Sequence, residues 1–433
     1  MHLELASHAV KDVVFSDAEG LSDGVLHVNK AALLDHLSRV SPFEAIDVEI
    51  AKPGDPVRIV HALDVVEPRA KAPGAGRVFP GLLGPPLDAG EGRTIRLDGV
   101  AVVGAAEPFA GEDHWAFREA IIEMSGPGAE LCPFSKTVNL VVKFVQGSGD
   151  GGEEEKANFQ VDAWEEQARR AIEASRLLTV RAAEYLALIA QGAEADDVAS
   201  YNLTPVQDDL PKVAYIHHNV GGALYGWSDF SSDHAMLLHP NELMDGAVVL
   251  STRFVEPAIR DCTFFHQNNS IIEELYRRHG KDLDFVGVVF FTGSSATLEQ
   301  KERESDSAVK LARAIGAEAA VMSPFRSGHS GVTFMLVCQK CERSGIRVSV
   351  GVSQLVAGAG EPGLNHWAPE ADAMVVSGND RETIRLPAVE RVIGGSTLMN
   401  GGGPADAEME IEVRNLYGIS APMGPTRLSA GLY

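Results

Sequence analysis

The chain has 433 residues, of which 45% are hydrophobic, 61 are acidic and 37 are basic. This length exceeds one ordinary hydrophobic core, so we expect an α/β protein of two or three domains. The formal net charge of −24 repels phosphate backbones and anionic lipid headgroups, and no basic cluster is dense enough to offset it. We therefore expect no nucleic-acid partner and no membrane partner.

The amino terminus lacks the pattern of a targeting signal. MHLELASHAVKDVVF has no basic start and no continuous apolar run, and no segment approaches about 18 uninterrupted apolar residues. Four cysteines are too few for a disulfide framework in a chain of this length. We expect a cytoplasmic protein whose cysteines are buried thiols, metal ligands or reactive groups.

Residues 1–146 carry short β-rich runs that are separated by glycine and proline turns. Helical periodicity is confined to NKAALLDHLSRV and HWAFREAIIEM, so this part is predicted to be an α+β domain dominated by sheet. Residues 147–211 begin with the flexible acidic tract GSGDGGEEEK and continue into a long amphipathic helix that ends at Gly192. This second segment is predicted to link two domains. The β-rich runs are GVLHVNK, AIDVEIAK, RIVHALDVVEPR and TIRLDGVAVVG.

From Lys212 onward, apolar strand-like runs alternate with helical patterns. Several runs are continuously apolar and end at polar or glycine residues, which is typical of parallel strands with helices on both faces. We therefore predict a doubly wound α/β domain over 212–433. The runs are KVAYIHHN, GAVVLSTR, DFVGVVFFTG, AEAAVMSP, GIRVSVGVS and ADAMVVSGN.

Reactive groups in doubly wound sheets gather at the carboxyl ends of the strands. This rule points to His217, His218 and Asn219 at the end of the first run of this domain. The two histidines are candidates to line a site, although solvated loop histidines are the commoner case. Arg326 and His329 follow another run in the glycine-containing sequence SPFRSGHSG, which suits a substrate carboxylate or a proton transfer. The alternative for that sequence is a tight turn with an exposed histidine.

The stretch IRDCTFFHQNNSIIEELYRRHG, residues 259–280, places Cys262 in a predicted strand-to-helix loop. A helix is expected to begin near Ser270, with Glu273 at capping-box spacing, and to end at Gly280. Free donors at a helix start can hold a carboxylate or an oxyanion. The alternative is an inert buried thiol beside a capped loop. Further donors in this interval are His266, Gln267, Asn268 and Asn269.

Several segments of the chain resemble one protein family. The resemblance is to the precursor subunit of component B of the glycine, sarcosine and betaine reductases, and more distantly to the D-proline reductase proprotein. It covers nearly the whole chain and is most specific around Cys262. The segments that carry it are LELASHAVKDVVFSD, CPFSKTVNLVV, LHPNELMDGAVV, DCTFFHQNNSIIEELYRRHGKDLDFVGVVF and GISAPMGPTRLSA.

In that family the precursor is cut on the amino side of the matching cysteine, which becomes a pyruvoyl group. The resemblance implies a cut between Asp261 and Cys262 that gives chains 1–261 and 262–433. The thiolate attacks the preceding carbonyl and moves the acyl group from nitrogen to sulfur. Elimination then leaves dehydroalanine, which hydrolyses to the ketone with loss of ammonia.

This chemistry needs a thiolate and a polarised carbonyl. His266 is the candidate base, and Thr263 and Asn268 are candidate polarisers of the carbonyl. The candidate catalytic residues are thus Asp261, Cys262, Thr263 and His266.

A pyruvoyl ketone condenses with a primary or secondary amine and weakens the bond between the α-carbon and the nitrogen. The resemblance implies reductive cleavage of a small amino acid or related amine by a selenol or thiol on a partner subunit, within a hetero-oligomer. A quaternary amine such as betaine cannot condense, so it requires a different role for the ketone. The candidate substrate-binding residues are His217, His218, Gln267, Asn268, Asn269, Arg326 and His329.

The sequence CQKC contains Cys338 and Cys341 near the predicted start of a helix. A single CxxC pair is compatible with a dithiol redox couple or with two half-buried structural thiols, and it is weak evidence for zinc. We therefore expect no metal site. Two alternatives to the leading hypothesis stay open: an unprocessed family member that binds a ligand or scaffolds a partner, and a thiol redox protein.

Overall fold

A computed structural model describes most of the chain as a mixed α/β protein with several mixed sheets. None of the helices within the described residues combines the length and hydropathy needed to cross a bilayer. The described residues are 1–43, 45–72, 78–106, 120–145, 161–206, 209–219, 223–225, 228–229, 234–250, 262–293, 295–325, 328–352, 366–371, 373–376, 382–398 and 403–419.

The first half of the described chain consists mainly of strands, as its alternating apolar runs predict. Its helices are α1 Lys30–Ser38, α2 Gly126–Leu131 and α3 Val161–Ile189. Its strands are β1 His2–Ala9, β2 Asp12–Phe15, β3 Gly20–Ser22, β4 Val25–Val28, β5 Ala45–Ala51, β6 Val57–Val60, β7 Ala62–Val66, β8 Arg69–Lys71, β9 Gly92–Asp98, β10 Val100–Ala106, β11 Ile122–Glu123, β12 Val138–Val145 and β13 Asp197–Asn202.

Two four-stranded sheets form most of this half, in the orders β13-β1-β9-β8 and β5-β12-β10-β7. The predicted long helix is confirmed as α3, which continues into a short 3-10 turn ending at Gly192. Because Leu178, Leu186 and Ala187 are fully buried, α3 contributes one apolar face to the core beside β7 and β10. The helix is therefore part of the packed structure.

The predicted helix HWAFREAIIEM is wrong where it can be compared. Ile122–Glu123, near the end of that sequence, is strand β11 and pairs with β6 in antiparallel fashion. Residues 114–119 of the same sequence lie outside the described residues. Pairing with a neighbouring strand outweighs the helical periodicity of so short a segment.

The second half of the described chain alternates strands and helices. Its helices are α4 Pro240–Asp245, α5 Thr263–Gln267, α6 Ser270–Arg278, α7 Leu298–Ala314 and α8 His329–Arg343. Its strands are β14 Lys212–His218, β15 Ala223–Tyr225, β16 Ser228–Asp229, β17 Met236–Leu238, β18 Val248–Leu250, β19 Asp284–Phe291, β20 Ala319–Phe325, β21 Arg347–Val352, β22 Ala373–Val376, β23 Thr383–Leu386, β24 Arg391–Gly394 and β25 Met409–Glu412.

A six-stranded sheet, β17-β19-β14-β20-β21-β22, organises this half. Its strands from β19 to β22 are parallel, and β17 pairs with β19 in antiparallel fashion at one edge. Apolar residues of α7 and α8 pack on one face, and those of α4 and α6 pack on the other. The predicted parallel sheet with helices on both faces is therefore confirmed for these strands.

The run GAVVLSTR is an exception to the predicted parallel sheet. Its described part forms β18, which pairs with β15 in a small antiparallel sheet instead of joining the parallel one. A buried apolar strand has the same sequence pattern in either kind of sheet, so the pattern alone did not separate them.

Strand β14 is where the order in which strands are added to the parallel sheet reverses. The chain leaves β14 for β19 on one side and later returns through α7 to β20 on the other side. Ligands of such sheets bind in the crevice outside the carboxyl ends of the two strands at this reversal. The end of β14 is therefore the position in the fold that most favours a site.

Several contacts cross the predicted domain boundaries. β24 pairs in parallel with β6, and β13 pairs with β1 in antiparallel fashion. Arg58 on β6 forms a buried ion pair with Glu123 and donates hydrogen bonds to the carbonyl oxygens of Pro387 and Ala407. The end of the chain is thus tied to its beginning, and the division into 1–146, 147–211 and 212–433 stays a prediction.

Candidate functional site

The two adjacent histidines at the end of β14 point to opposite faces of the sheet. The His217 ring stacks on Phe290 with a centroid distance of 5.0 Å, whereas the His218 ring stacks on Phe291 at 4.8 Å. His218 also contacts Phe334 of α8. Successive side chains of a strand alternate between faces, so His217 and His218 do not share one pocket.

His217 meets His266, which the sequence places on the loop after Cys262. Their ring centroids lie 5.3 Å apart, and both side chains are fully buried. The hydroxyl of Tyr215 lies 2.7 Å from Nδ1 of His217. Nδ2 of Asn219 lies 3.0 Å from Nε2 of His266. The structure thus brings one predicted catalytic residue and one predicted substrate-binding residue together at the carboxyl end of β14.

Both imidazoles are neutral at pH 7. Burial lowers the pKa of His266 to about 4. Burial, with further contributions from His266 and His218, lowers the pKa of His217 well below its ordinary value. Desolvation disfavours the charged form of a buried imidazole. Each ring therefore presents one N–H donor and one acceptor nitrogen.

Cys262 is the N-cap residue of the short helix α5 and begins the described chain after a gap. Its side chain is fully buried in an apolar cluster that also contains Cys132, Phe134 and Tyr417. Asp261, the other residue of the predicted cut, lies outside the described residues. The sequence predicted a loop here, and the structure adds a helical turn at Thr263–Gln267 before the predicted helix.

The residue after Cys262 is held by a buried carboxylate from the first half of the chain. The backbone nitrogen of Thr263 donates to Oδ1 of Asp64 at 2.9 Å, and the Thr263 hydroxyl donates to Oδ2 at 2.5 Å. The backbone nitrogen of Leu250 donates to the same hydroxyl at 3.0 Å. Burial raises the pKa of Asp64 to about 6. Thr263 is thereby fixed on both its backbone and its side chain.

Gln267 and Asn268 use their side chains to fasten α5 to the strands β7 and β8. Gln267 accepts a hydrogen bond from the backbone nitrogen of Glu67 at 2.8 Å and donates to its carbonyl oxygen at 3.0 Å. Asn268 accepts from Arg69 at 3.2 Å and donates to the carbonyl oxygen of Phe264, also at 3.2 Å. The contacts of these two amides are with the protein itself, which favours a structural role.

Asn269 caps the helix that follows. Its side chain accepts hydrogen bonds from the backbone nitrogens of Ile271 and Ile272, each at 3.1 Å. The predicted helix is confirmed as α6, but its N-cap is Asn269 and not Ser270, so the predicted cap is wrong by one residue. An asparagine is as good an N-cap as a serine, and sequence spacing alone did not separate the two.

The SPFRSGHSG sequence is split between a strand and a helix. Phe325 ends β20, and His329 is the exposed first residue of α8. Arg326 lies outside the described residues. The predicted loop is therefore shorter than the sequence indicated, and His329 belongs to a helix.

Cys338 and Cys341 lie in the second half of α8, not at the start of a helix as the sequence indicated. Both thiols are fully buried in the apolar cluster between α7, α8 and the sheet. Burial raises the pKa of Cys341 to about 12. A buried thiol that remains protonated is a poor nucleophile, so this environment disfavours the redox hypothesis without testing it.

Sequence analysis missed two residues that define the geometry of this region. Asp64 interrupts the apolar run ALDVV, and a lone carboxylate inside a buried strand is the signal that would have found it. The strand-end rule had pointed to Asn219, but Tyr215, which contacts His217 two residues along the strand, was not singled out as a site residue. The contact of Asn219 with His266 joins residues 47 positions apart, so sequence neighbours do not reveal it.

The fold and the site together define an α/β protein. A buried carboxylate holds the residue after Cys262, and a pair of neutral imidazoles lies at the carboxyl end of a central strand in a doubly wound sheet. The family model for glycine/sarcosine/betaine reductase component B subunits matches residues 1–429. The chain belongs to this family.

Curated relatives align along most or all of their length. The glycine reductase complex component B subunits alpha and beta of Acetoanaerobium sticklandii are 32% identical over 457 aligned residues, with 100% of both chains covered. The sarcosine reductase complex component B subunit alpha of Peptoclostridium acidaminophilum is 33% identical, again with 100% of both chains covered. The betaine reductase complex component B subunit alpha of that organism is 30% identical, with 91% of this chain and 88% of the relative covered. No solved structure matches the chain.

Proposed function

We propose that this chain is the precursor of a pyruvoyl-containing component B subunit. It is cut between Asp261 and Cys262, and it works in a reductase complex that removes the amine from a small amino acid or related amine. Family membership over 1–429 supports the reductase assignment. The observation that carries the proposal is the attachment of Thr263 to Asp64, because it fixes the peptide next to Cys262.

The cut begins with the Cys262 thiolate attacking the carbonyl carbon of residue 261. The carbon–nitrogen bond breaks, the acyl group moves to sulfur, and the nitrogen of residue 262 takes up a proton. Loss of the α-proton of residue 262 expels the thioacid of residue 261, which water hydrolyses to a carboxylate and hydrogen sulfide. The dehydroalanine that remains tautomerises to an imine, and water replaces its nitrogen, which leaves as ammonia. No oxidant or reductant is consumed, so the chain and water supply everything that the reaction needs.

Asp64 acts in this scheme as a positioning residue. The backbone nitrogen of Thr263 is the amide nitrogen attached to the acyl group of residue 262, and Asp64 accepts a hydrogen bond from it. The Thr263 hydroxyl adds a second contact, so the adjoining acyl group has a fixed direction. The apolar surroundings of Cys262 also limit the access of water to this position.

His266 is better suited to donate a hydrogen bond than to accept a proton. An amide nitrogen only donates, so Asn219 occupies the lone pair on Nε2 of His266 and leaves the ring proton on Nδ1. The sequence proposed His266 as the base for the cut. That role requires the Asn219 contact to break first, so we do not assign it.

A pyruvoyl ketone in this position supplies an electrophilic carbonyl that draws electrons from the bond between the α-carbon and nitrogen of an amine. The relatives are named for glycine, sarcosine and betaine. These compounds share a carboxylate and differ in methylation of the nitrogen, so we propose a substrate from this class. The reducing group, a selenol or thiol, is supplied by a partner subunit in a hetero-oligomer.

Intact-mass spectrometry of the purified protein tests the cut. The expected result is two chains, 1–261 and 262–433, with the second lacking sulfur and nitrogen at its first residue and bearing a ketone that reacts with hydroxylamine. Cys262→Ala is expected to remain one chain. Cys132→Ala is the matched control, because Cys132 lies in the same apolar cluster and is not at the cut. A single wild-type chain of full mass would contradict the proposal.

The burial of Cys262 favours a second candidate, an unprocessed family member that binds a ligand or scaffolds a partner. A thiol in an apolar cluster is commonly an inert core residue. This candidate predicts an uncut wild-type chain that still retains a partner subunit on affinity purification. The mass measurement therefore separates the two proposals.

A further inference from the structure

Two of the buried imidazole nitrogens without a hydrogen-bond partner among the described residues lie at this site. They are Nε2 of His217 and Nδ1 of His266, each on a fully buried side chain. Buried polar atoms in native proteins are nearly always hydrogen-bonded, so an unpaired atom in a buried site calls for an explanation. Here two such atoms occur on rings whose centroids lie 5.3 Å apart.

Both nitrogens carry a proton. Nδ2 of Asn219 donates to Nε2 of His266, so the single proton of that neutral ring lies on Nδ1. The hydroxyl of Tyr215 lies 2.7 Å from Nδ1 of His217, and we assign the phenol as the donor because the imidazole nitrogen is the stronger base of the two. The proton of His217 therefore lies on Nε2. The site presents two N–H donors whose acceptors are missing.

We propose that His217 Nε2 and His266 Nδ1 bind the carboxylate of the substrate, each donating one hydrogen bond to it. This inference rests on the proposed function, which supplies the substrate class. It identifies the carboxylate as the part of the substrate that these two residues recognise. A carboxylate is the group common to the substrates proposed above. Two N–H donors suit the two acceptor oxygens of a carboxylate and offer no acceptor to a cation.

The position of the pair in the fold supports a ligand site. His217 is the penultimate residue of β14, near the reversal of strand order where ligands of such folds bind. Its register partner on β20 is Ser323, whose buried hydroxyl also lacks a hydrogen-bond partner among the described residues. Register neighbours in a parallel sheet face the same side, so this hydroxyl adds a donor on the His217 face.

The two donors come from opposite sides of the proposed cut. His217 and Asn219 belong to chain 1–261, whereas His266 belongs to chain 262–433 and lies four residues from Cys262. The backbone nitrogen of His266 donates to the carbonyl oxygen of Cys262 at 3.3 Å, which ties the donor to the cut residue through one helical turn. A carboxylate bound by His266 would therefore be held by a residue one helical turn from Cys262.

Titration of wild-type protein carrying isotope-labelled histidine tests the inference. The probes are glycine, N-methylglycine and trimethylglycine, with methylamine as the probe without a carboxylate. We expect the three carboxylates to shift the N–H resonances of His217 and His266, and methylamine to leave them unchanged. His217→Phe and His266→Phe should each weaken carboxylate binding about tenfold, the usual effect of losing one hydrogen bond to a charged group.

Conservative variants distinguish the loss of a hydrogen-bond donor from the loss of the folded structure. His217→Gln retains an N–H near the Nε2 position, and His266→Asn retains one near Nδ1, so both should recover most of the affinity that the phenylalanine variants lose. His218→Phe is the control, because this ring faces the opposite side of the sheet. Folded phenylalanine variants that bind the carboxylates as the wild type does would overturn the inference. So would ordered water alone at both nitrogens in the presence of saturating glycine.

The same titration with Cys262→Ala distinguishes this inference from the proposed function. Both donors are retained in that variant, so carboxylate binding and its dependence on the two histidines should persist. A chain that is never cut but shows this dependence would contradict the proposed function and support the carboxylate site. A cut chain whose carboxylate binding ignores both histidines would do the reverse.

Discussion

Asp64 and Thr263 are 199 residues apart in the chain, yet the carboxylate of one accepts hydrogen bonds from both the backbone nitrogen and the hydroxyl of the other. A carboxylate with a pKa near 6 is costly to bury, and its own backbone neighbour Val65 supplies a further hydrogen bond at 2.8 Å. This contact joins the first half of the chain to the segment that begins at Cys262.

Removing this carboxylate should impair the proposed cut. In Asp64→Ala the hydroxyl and the amide of Thr263 lose their acceptor, so we expect slower processing and a loss of about 3 kcal/mol in the free energy of unfolding. Asp64→Asn preserves the amide contact and should have a smaller effect on both. The fraction of uncut chain, followed by intact-mass spectrometry after expression, measures the first effect.

Asp47→Asn is a control for the loss of a carboxylate. Asp47 is 46% exposed, and its carboxylate pairs with Lys30 and Lys143 instead of with Thr263. Exposed ion pairs contribute little to stability, so this variant should be cut as the wild type is. Processing of Asp64→Ala at the wild-type rate would show that the Thr263 contact does not position the cut.

The two chains produced by the cut should remain together. β14 belongs to chain 1–261, but its neighbours in the sheet, β19 and β20, belong to chain 262–433. In the other direction, β24 of the second chain pairs with β6 of the first. Separating the chains would expose both edges of a central strand, so we expect a single peak on size-exclusion chromatography that splits only in denaturant.

Uncut Cys262→Ala supplies the reference elution volume for this experiment. The first chain expressed alone should be insoluble or largely unfolded, because it lacks the strands on either side of β14. Two cut chains that elute apart in native buffer would disprove the interlocked arrangement.

Stability should fall when the pH is lowered from 7 to 5. His266 has a pKa of about 4 in the folded chain and about 6.5 in an unfolded chain. The unfolded state therefore binds a proton that the folded state does not, and stability present above pH 6.5 is lost as the pH falls towards 4. The lowered pKa of His217 changes stability with pH in the same direction. Asp64 changes stability in the opposite direction, because its raised pKa favours the folded state as the pH falls from 6 to 3.8.

Comparison with a variant isolates the contribution of one histidine. Denaturant unfolding of Cys262→Ala and of the double variant Cys262→Ala, His266→Phe, each as a single chain, should give slopes that differ by at most about 1.4 kcal/mol per pH unit between pH 6 and 5. The double variant should have the shallower dependence. Equal slopes would mean that His266 does not stay neutral in the folded protein.

The cysteines should be unreactive in the native protein. All four are buried, and Cys338 and Cys341 lie on the buried face of α8. A thiol reagent should therefore label none of them before unfolding, under either reducing or oxidising conditions. Rapid native labelling of Cys338 or Cys341, or a disulfide between them, would support the redox alternative instead.

The denatured protein provides a second count. An uncut chain should expose four thiols, as the sequence contains four cysteines, whereas the proposed processing consumes Cys262 and leaves three. Cys132→Ala should lower either number by one. A denatured wild type with four thiols would agree with the unprocessed alternative.

Sequence patterns predicted most strands of the parallel sheet because a strand buried on both faces must be apolar throughout. KVAYIHHN, DFVGVVFFTG, AEAAVMSP, GIRVSVGVS and ADAMVVSGN correspond to β14, β19, β20, β21 and β22. GAVVLSTR has the same composition and pairs elsewhere, since apolar content reports burial and not the identity of the neighbouring strand. The short helix α5 was missed because five residues are too few to show a helical period.

The candidate site was predictable only in part. Cys262, His217 and His266 were proposed from residue type, position after a strand, and resemblance to a family. Successive side chains of a strand point to opposite faces, so His217 and His218 were bound to face different sides of the sheet. Which of them meets His266 depends on the packing of α5, and the structure places His266 beside His217 while His218 contacts α8. Asp64 could not be linked to Thr263 by spacing, because nothing local connects residues so far apart.

The sequence by itself determined the acidic α/β character of this protein, its family and the segment where reaction is proposed, since these depend on composition, periodicity and local motifs. Only the tertiary structure decided which distant residues contact each other at the site. It placed a carboxylate from β7 against the residue after Cys262, and it paired two neutral imidazoles from separate segments. Hydrogen bonds and burial act through space, so the protonation and direction of these groups were set only when distant segments packed together.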